Sequence, residues 1–240
     1  LRFKNADEKD FLATAEAVVS DRQKELGVCV VNVGASTTSL VVYEEGDVLH
    51  TSVLPIGSDH ITSDIALGLR TSIDVAEQVK LRYATCVPEE INKKDEINLA
   101  ELGAPEDEIV GRRFIADITL ARAEEIFEYV DKELKKVERS GMLPAGLVLT
   151  GAGAKLPGML EAAKAILRLP VSLGNAIGIT SVIDRANDPG LSTAIGLVLW
   201  GQHIRGTGGN GNFGKIFKSF GGNMGKVTGG LKKLFKSIRP

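Results

Sequence analysis

Apolar residues along the chain fall into runs of two periods. Val28 to Val33 and Gly146 to Thr150 are short and almost unbroken, as in strands buried on both faces. Thr37 to Tyr43 and Val48 to Ile56 are alternating or β-branched and flank Glu44-Glu45-Gly46-Asp47, a loop with a glycine, so with the first run they predict three antiparallel strands. Ile115, Ile118, Ile126, Val130, Leu134 and Val137 recur at helical spacing and predict one long helix from about Arg112 to Arg139. Shorter helices are expected from Ser58, as cap, to about Leu69, and from a capping box at Thr71-Ser72-Ile73-Asp74 to about Tyr83. Two more follow, at Gly158 to Arg168 and Leu191 to His203, with a strand at Pro170 to Leu173. Residues 1–26 are charged and helix-prone, with an apolar patch at Phe11, Leu12, Ala15, Val18 and Val19. The stretch 86–113, broken by Pro88, Gly103, Pro105 and Gly111, leaves room for one short strand near Ile97 to Leu99.

Composition adds that this is an ordinary globular balance, 43% hydrophobic and 25% charged in 240 residues, with a sizeable core. No run of 18 apolar residues is present, and the first residues lack the apolar stretch of a signal peptide, so the body is expected in the cytosol. The chain starts on Leu1 rather than Met and is expected to be a fragment lacking an N-terminal part. Cys29 and Cys86 have no metal spacing, and Cys29 lies in an apolar run, which predicts a buried thiol. Three scattered histidines give no metal constellation either.

Charge changes the picture more. The net charge of -2 conceals eight Lys or Arg and no acid between Arg205 and Pro240, leaving 21 basic against 31 acidic residues in 1–204. An acidic body argues against nucleic acid as a partner, and a cationic tail calls for an anionic surface. Ten glycines between Gly206 and Gly230 exclude a packed element and predict a flexible linker over 205–230. Beyond it, within 231–240, Leu231, Leu234, Phe235 and Ile238 stand at i, i+3, i+4 and i+7, with Lys232, Lys233 and Lys236 largely off that stripe. As a helix this is amphipathic and cationic, suited to the plane of a membrane surface. A core helix shares the pattern, but not after a glycine linker and with no acid before the chain end. Phe213, Ile216, Phe217 and Phe220 repeat the spacing within 213–220, and the two segments align at an offset of 18, so two short anchors are expected.

Two glycine turns carry the candidate chemistry. Gly34-Ala35-Ser36-Thr37-Thr38 follows a buried strand, where backbone N–H groups and hydroxyls can converge on phosphate oxygens, although a plain hairpin turn has the same composition. Gly151-Ala152-Gly153 lies between a strand and a helix and is equally ambiguous alone.

The order and spacing of these turns resemble the second phosphate loop and the adenosine loop of the actin, Hsp70 and sugar-kinase superfamily. Within it, Leu12-Ala13-Thr14-Ala15-Glu16-Ala17-Val18, Leu54-Pro55-Ile56-Gly57-Ser58-Asp59-His60-Ile61-Thr62-Ser63-Asp64-Ile65-Ala66 and Val148-Leu149-Thr150-Gly151 resemble the FtsA family of bacterial cell-division proteins. Ala76-Glu77-Gln78-Val79-Lys80, Leu156-Pro157-Gly158-Met159 and the amphipathic tail agree. The resemblance covers nearly the whole chain and implies the C-terminal portion of such a protein. The implied fold is an actin-like (ribonuclease H-like) α/β ATPase lobe, with a mixed five-stranded sheet in 1–74 and 146–204 and a smaller α/β subdomain in 75–145.

The resemblance further implies ATP and Mg²⁺ as cofactors. Gly34, Ala35, Ser36, Thr37 and Thr38 would surround the phosphates, Gly151, Ala152 and Gly153 would face the adenosine, and Glu77 and Lys80 would reach the ribose or base. Read without the family, the last pair is an exposed helix salt bridge. The family's phosphate loop opens and closes with Asp, where this chain has Asn32 and Ser39, and Ala35 and Ser36 replace two glycines. Fewer carboxylates weaken the hold on Mg²⁺ and the orientation of an attacking water, so hydrolysis is expected to be slow or absent. Arg122 and Glu125 lie beside the long helix's apolar stripe. They read as a solvated flank, or, by the resemblance, as contacts for the C-terminal peptide of the tubulin-like protein FtsZ. The implied function is a protein that polymerises and tethers FtsZ filaments to anionic lipid on the cytoplasmic face of the cell membrane at the division site. The rivals are a pilus-assembly ATP-binding protein similar to PilM, which does not need the tail, and an Hsp70-like chaperone or sugar-kinase-like ATPase, which calls for carboxylates at 32 and 39.

Overall fold

A computed structural model of the chain describes residues 7–177 and 187–207. Contacts divide the chain into Leu1–Trp200 and Gly201–Pro240, and the described part of the second unit is 201–207, inside the last helix. Seven strands and seven α-helices are described: α1 (Asp7–Val18), α2 (Asp21–Leu26), β1 (Val28–Val33), β2 (Thr38–Glu44), β3 (Asp47–Leu54), α3 (Ser58–Gly68), α4 (Ile73–Tyr83), β4 (Glu96–Asn98), β5 (Ile109–Gly111), α5 (Arg112–Lys136), β6 (Leu147–Thr150), α6 (Met159–Leu167), β7 (Val171–Leu173) and α7 (Ser192–Thr207).

Five strands form one mixed sheet in the order β3-β2-β1-β6-β7, with β1, β2 and β3 antiparallel and β6 and β7 parallel to β1. Its hairpin between β2 and β3 turns on Glu45 (φ 53°) and Gly46 (φ 80°), the left-handed pair that matches strand twist in a two-residue loop. Alternation sorts β1 onto two cores. Cys29, Val31 and Val33 face Ile126, Phe127, Val130 and Leu134 of α5 and Ala163 and Leu167 of α6. Val28 and Val30 face Phe11, Leu12, Ala15 and Val18 of α1, with Ile195 of α7 packed beside them. The continuous apolar run is therefore a strand covered on both faces, as its composition requires. A third core lies under α3 and α4, with Ile97, Leu99 and Leu102 from the β4 region and Ile115 from the start of α5. Helix α5 thus serves two of the three cores, its first turns in this one and its remainder in the one it shares with α6. Cys29 and Cys86 are both buried as free thiols, and burial pushes the Cys86 thiol up to about 12.

Several expected boundaries move for identifiable reasons. Gly57, not Ser58, caps α3: the Ser58 N–H donates to the Gly34 carbonyl at 2.9 Å, and His60 Nδ1 accepts from the Gly57 N–H at 3.1 Å. Ser72, not Thr71, caps α4, its Oγ accepting from the Val75 N–H at 3.3 Å. The lead-in region is two helices, because Ser20 and Gln23 form a capping box that restarts the chain as α2. The 86–113 region holds two short strands where one was expected, β4 and β5 pairing antiparallel with Glu96 opposite Gly111.

Candidate functional site

Parallel pairing of β1 with β6 places Asn32 beside Thr150, so the two strands end together and their following turns meet. In the first turn the Gly34 N–H donates to the Thr37 carbonyl at 2.9 Å. Its Gly34 and Ala35 carbonyls accept from the Ser58 and Asp59 N–H groups, at 2.9 and 2.8 Å, fixing the loop on the N-terminus of α3. The second turn packs on the first: Gly151 has φ 91° and ψ 168°, a backbone region essentially confined to glycine, and a Cβ there would overlap Asn32 and the Val33 carbonyl. Asn32 Nδ2 donates to Thr193 Oγ1 at 3.2 Å, and Thr150 Oγ1 meets Ser192 Oγ at 2.8 Å, so the start of α7 closes the back of this junction.

In front of it lies a cavity of about 510 Å³ bounded by the first turn, the N-terminus of α3, α4 and the second turn. That volume suits a ligand of nucleotide size. Of the expected residues, Ala35, Glu77, Lys80, Ala152 and Gly153 line it together. Gly34, Ser36, Thr37, Thr38 and Gly151 are not part of its lining. Ser36 and Thr37 are exposed, whereas Thr38 is fully buried and its Oγ1 donates to the Ile56 carbonyl at 2.8 Å. The Thr38 hydroxyl thus holds the loop to the segment that follows β3.

Glu77 and Lys80 are not an exposed surface pair. Lys80 keeps 9% of its side chain accessible and Glu77 38%, with 2.7 Å between Nζ and Oε2. Thr62 of α3 completes the arrangement: its Oγ1 donates to Glu77 Oε2 at 2.6 Å and accepts from Lys80 Nζ at 2.8 Å. Burial pushes the Glu77 carboxyl up, but hydrogen bonds from Lys80 and Thr62 and the Lys80 charge outweigh it and hold the group below the usual carboxylate range. Ser58, Asp59 and Lys155 also line the cavity and were missed by sequence reasoning, as was Thr62 behind them. Ser58 and Asp59 stand within the stretch that carried the resemblance, directly after Gly57. That placement was the available signal.

Arg122 and Glu125 lie elsewhere, in a groove of about 230 Å³ with Leu54 to Ile56 at the end of β3, His60 of α3 and Tyr129 of α5. The Arg122 guanidinium donates to both Asp64 oxygens, at 2.5 and 2.8 Å, and to Glu125. The Asp64 hydrogen bond raises its pKa against the opposing effect of burial, and the Asp64 and Glu125 charges add to the rise. Arg122 is therefore a fixed, internally neutralised part of the groove wall and not a solvated flank. The membrane-facing residues read from sequence, Phe213, Ile216, Phe217, Phe220, Leu231, Lys232, Lys233, Leu234, Phe235, Lys236 and Ile238, lie outside the described residues.

A sheet of this order, two glycine turns at adjacent strand ends and the cavity before them define an actin-like α/β lobe, and solved structures agree. MreB5 of Spiroplasma citri bound to ADP superposes with a TM-score of 0.64 over 85% of this chain and 61% of that one, at 18% identity. The profile of the family described as Cell division protein FtsA matches residues 29–196, and the chain belongs to that family. It is 36% identical to the Cell division protein FtsA of Pseudomonas aeruginosa over 190 residues, 79% of this chain and 46% of that protein. The relative from Neisseria meningitidis serogroup B is 39% identical over 193 residues, 78% and 45% of the two chains. The chain thus spans about half the length of these curated relatives.

Proposed function

We propose that this chain is the part of an ATP-binding, actin-like cell-division protein that polymerises and tethers FtsZ filaments to the cytoplasmic face of the membrane. One observation carries the nucleotide reading: the two glycine turns and the Glu77–Lys80 pair converge on one cavity of about 510 Å³. The ADP in the MreB5 structure supports it. Ala152 and Gly153 would face the adenosine, Glu77 the ribose, and Ala35 with its neighbours the phosphates. Residues 75–145 would be the smaller subdomain. Membership of this family favours the division role over the pilus-assembly and chaperone or kinase readings.

Mg²⁺ would enter on the nucleotide's phosphates. Asn32 and Ser39 face each other across β1 and β2, and the Asn32 amide is already bonded to Thr193, so neither supplies a carboxylate to the ion or to an attacking water. Nucleotide then acts chiefly as a conformational ligand. Calorimetric titration of the full chain with ATP and Mg²⁺ is expected to give saturable binding, with turnover below about 0.1 s⁻¹ in a phosphate-release assay, well under the ordinary enzymatic range. Turnover of about 10 s⁻¹ would contradict that assignment.

Arg122, Glu125 and the apolar end of β3 form the proposed seat of the FtsZ C-terminal peptide, Arg122 supplying the N–H groups that Asp64 and Glu125 leave free. The 213–220 and 231–240 segments are the proposed anchors on anionic lipid, and self-association into filaments would array many of them along one surface.

A further inference from the structure

Lys80 carries three N–H donors, and three acceptors already stand around it: Glu77 Oε2 at 2.7 Å, Thr62 Oγ1 at 2.8 Å and the Ser58 carbonyl at 3.4 Å. Its ammonium is nearly closed to solvent, and its surroundings are saturated. Glu77 differs. One oxygen, Oε2, takes both Lys80 and Thr62, while the side chain remains 38% accessible at the cavity wall.

We infer that Thr62 is a positioning residue for nucleotide, acting with Lys80 to fix the Glu77 carboxylate so that its other oxygen, Oε1, is presented to a hydroxyl donor of the ligand. This rests on the nucleotide reading of the cavity. Thr62 is 4% exposed and does not line the cavity, so it reaches the ligand only through Glu77. Its single hydroxyl performs two tasks that no apolar side chain of the same shape can perform, giving its proton to Glu77 and its lone pair to Lys80. Helix α3, which also holds the first glycine turn through Ser58 and Asp59, thereby sets the position of α4's ligand-facing group. Without that hydroxyl, Lys80 keeps Glu77 and the Ser58 carbonyl, but Glu77 Oε2 keeps only one of its two partners and the carboxylate loses its fixed direction.

The test is calorimetric titration of the full chain with unlabelled ATP, since a label on the ribose would occupy the hydroxyls in question. Thr62→Val, which keeps shape and removes the hydroxyl, is expected to weaken ATP binding about 10-fold, and Thr62→Ser to restore it within about 2-fold. In a Glu77→Ala background Thr62→Val should have almost no further effect, because the two act as one unit. Equal affinity of wild type and Thr62→Val overturns the inference alone. So does failure of Ser to rescue, or full additivity with Glu77→Ala. Absence of ATP binding by the wild type overturns the nucleotide reading itself, and with it this inference.

Discussion

Deletion of residues 206–240 is expected to release the full chain from anionic vesicles, with a loss in partitioning of 100-fold or more in a sedimentation assay. Seven cationic residues lie in 206–240 with no acid to offset them, and each contributes about 1 kcal/mol near an anionic surface. Apolar side chains on the two stripes add about 1.5 to 3 kcal/mol each when buried, before the cost of ordering the segment. Two such segments in one chain would bind in sequence, the second at high effective concentration once the first is bound. Deleting 231–240 alone should therefore leave measurable binding, carried by Phe213, Ile216, Phe217 and Phe220. Complete loss from the shorter deletion would contradict a paired anchor. Neutral vesicles should bind the intact chain weakly, since the charge contribution is then missing.

Gly151→Ala is expected to destabilise the fold by about 3 kcal/mol and to weaken ATP binding with it. Its backbone, at φ 91° and ψ 168°, lies where a side chain costs about 1 to 3 kcal/mol. The new Cβ would also press on the Val33 carbonyl and the Asn32 side chain, and overpacking of this kind adds a comparable amount. Relief would have to come from parting the β1 and β6 ends, which would move Ala152 and Gly153 at the cavity wall. Gly103→Ala is the matched control. Gly103 has φ 100° but nothing within 4 Å of an added Cβ, so its cost should stay near the backbone contribution alone, about 1 kcal/mol. Chemical denaturation measures both, and equal losses would show that the contact between the two turns is not what makes glycine necessary at 151.

Where pattern and packing agree, the sequence was a good guide. Val28 to Val33 is apolar on both faces because helices cover both faces, and the spacing from Ile115 to Leu134 is that of a helix serving two cores. Strand β5 escaped notice because three residues with an exposed Ile109 carry no period. Ser20 and Gln23 did carry a capping signal, hidden inside a charged, helix-prone stretch. The cavity was legible only in part, and for a physical reason. Glycine turns announce themselves by composition, whereas Thr62 on the buried face of α3 does not, since its partners Glu77 and Lys80 lie 15 and 18 positions away and meet it only when α3 packs on α4. The same folding buries Lys80, a residue type that sequence alone places in solvent. Arg122 is a parallel case, because the Asp64 that fixes it is 58 residues distant.

On the proposed function, nucleotide, partner peptide and membrane meet in one chain. Reconstitution on anionic vesicles tests it most directly: fluorescent FtsZ filaments are mixed with the full chain, with and without ATP, and surface fluorescence is measured. Recruitment is expected only with ATP, lost on deletion of 206–240, and lowered about 10-fold or more by Arg122→Glu, which sets a third carboxylate beside Asp64 and Glu125. Equal recruitment with and without ATP, unchanged by Arg122→Glu, would contradict the account.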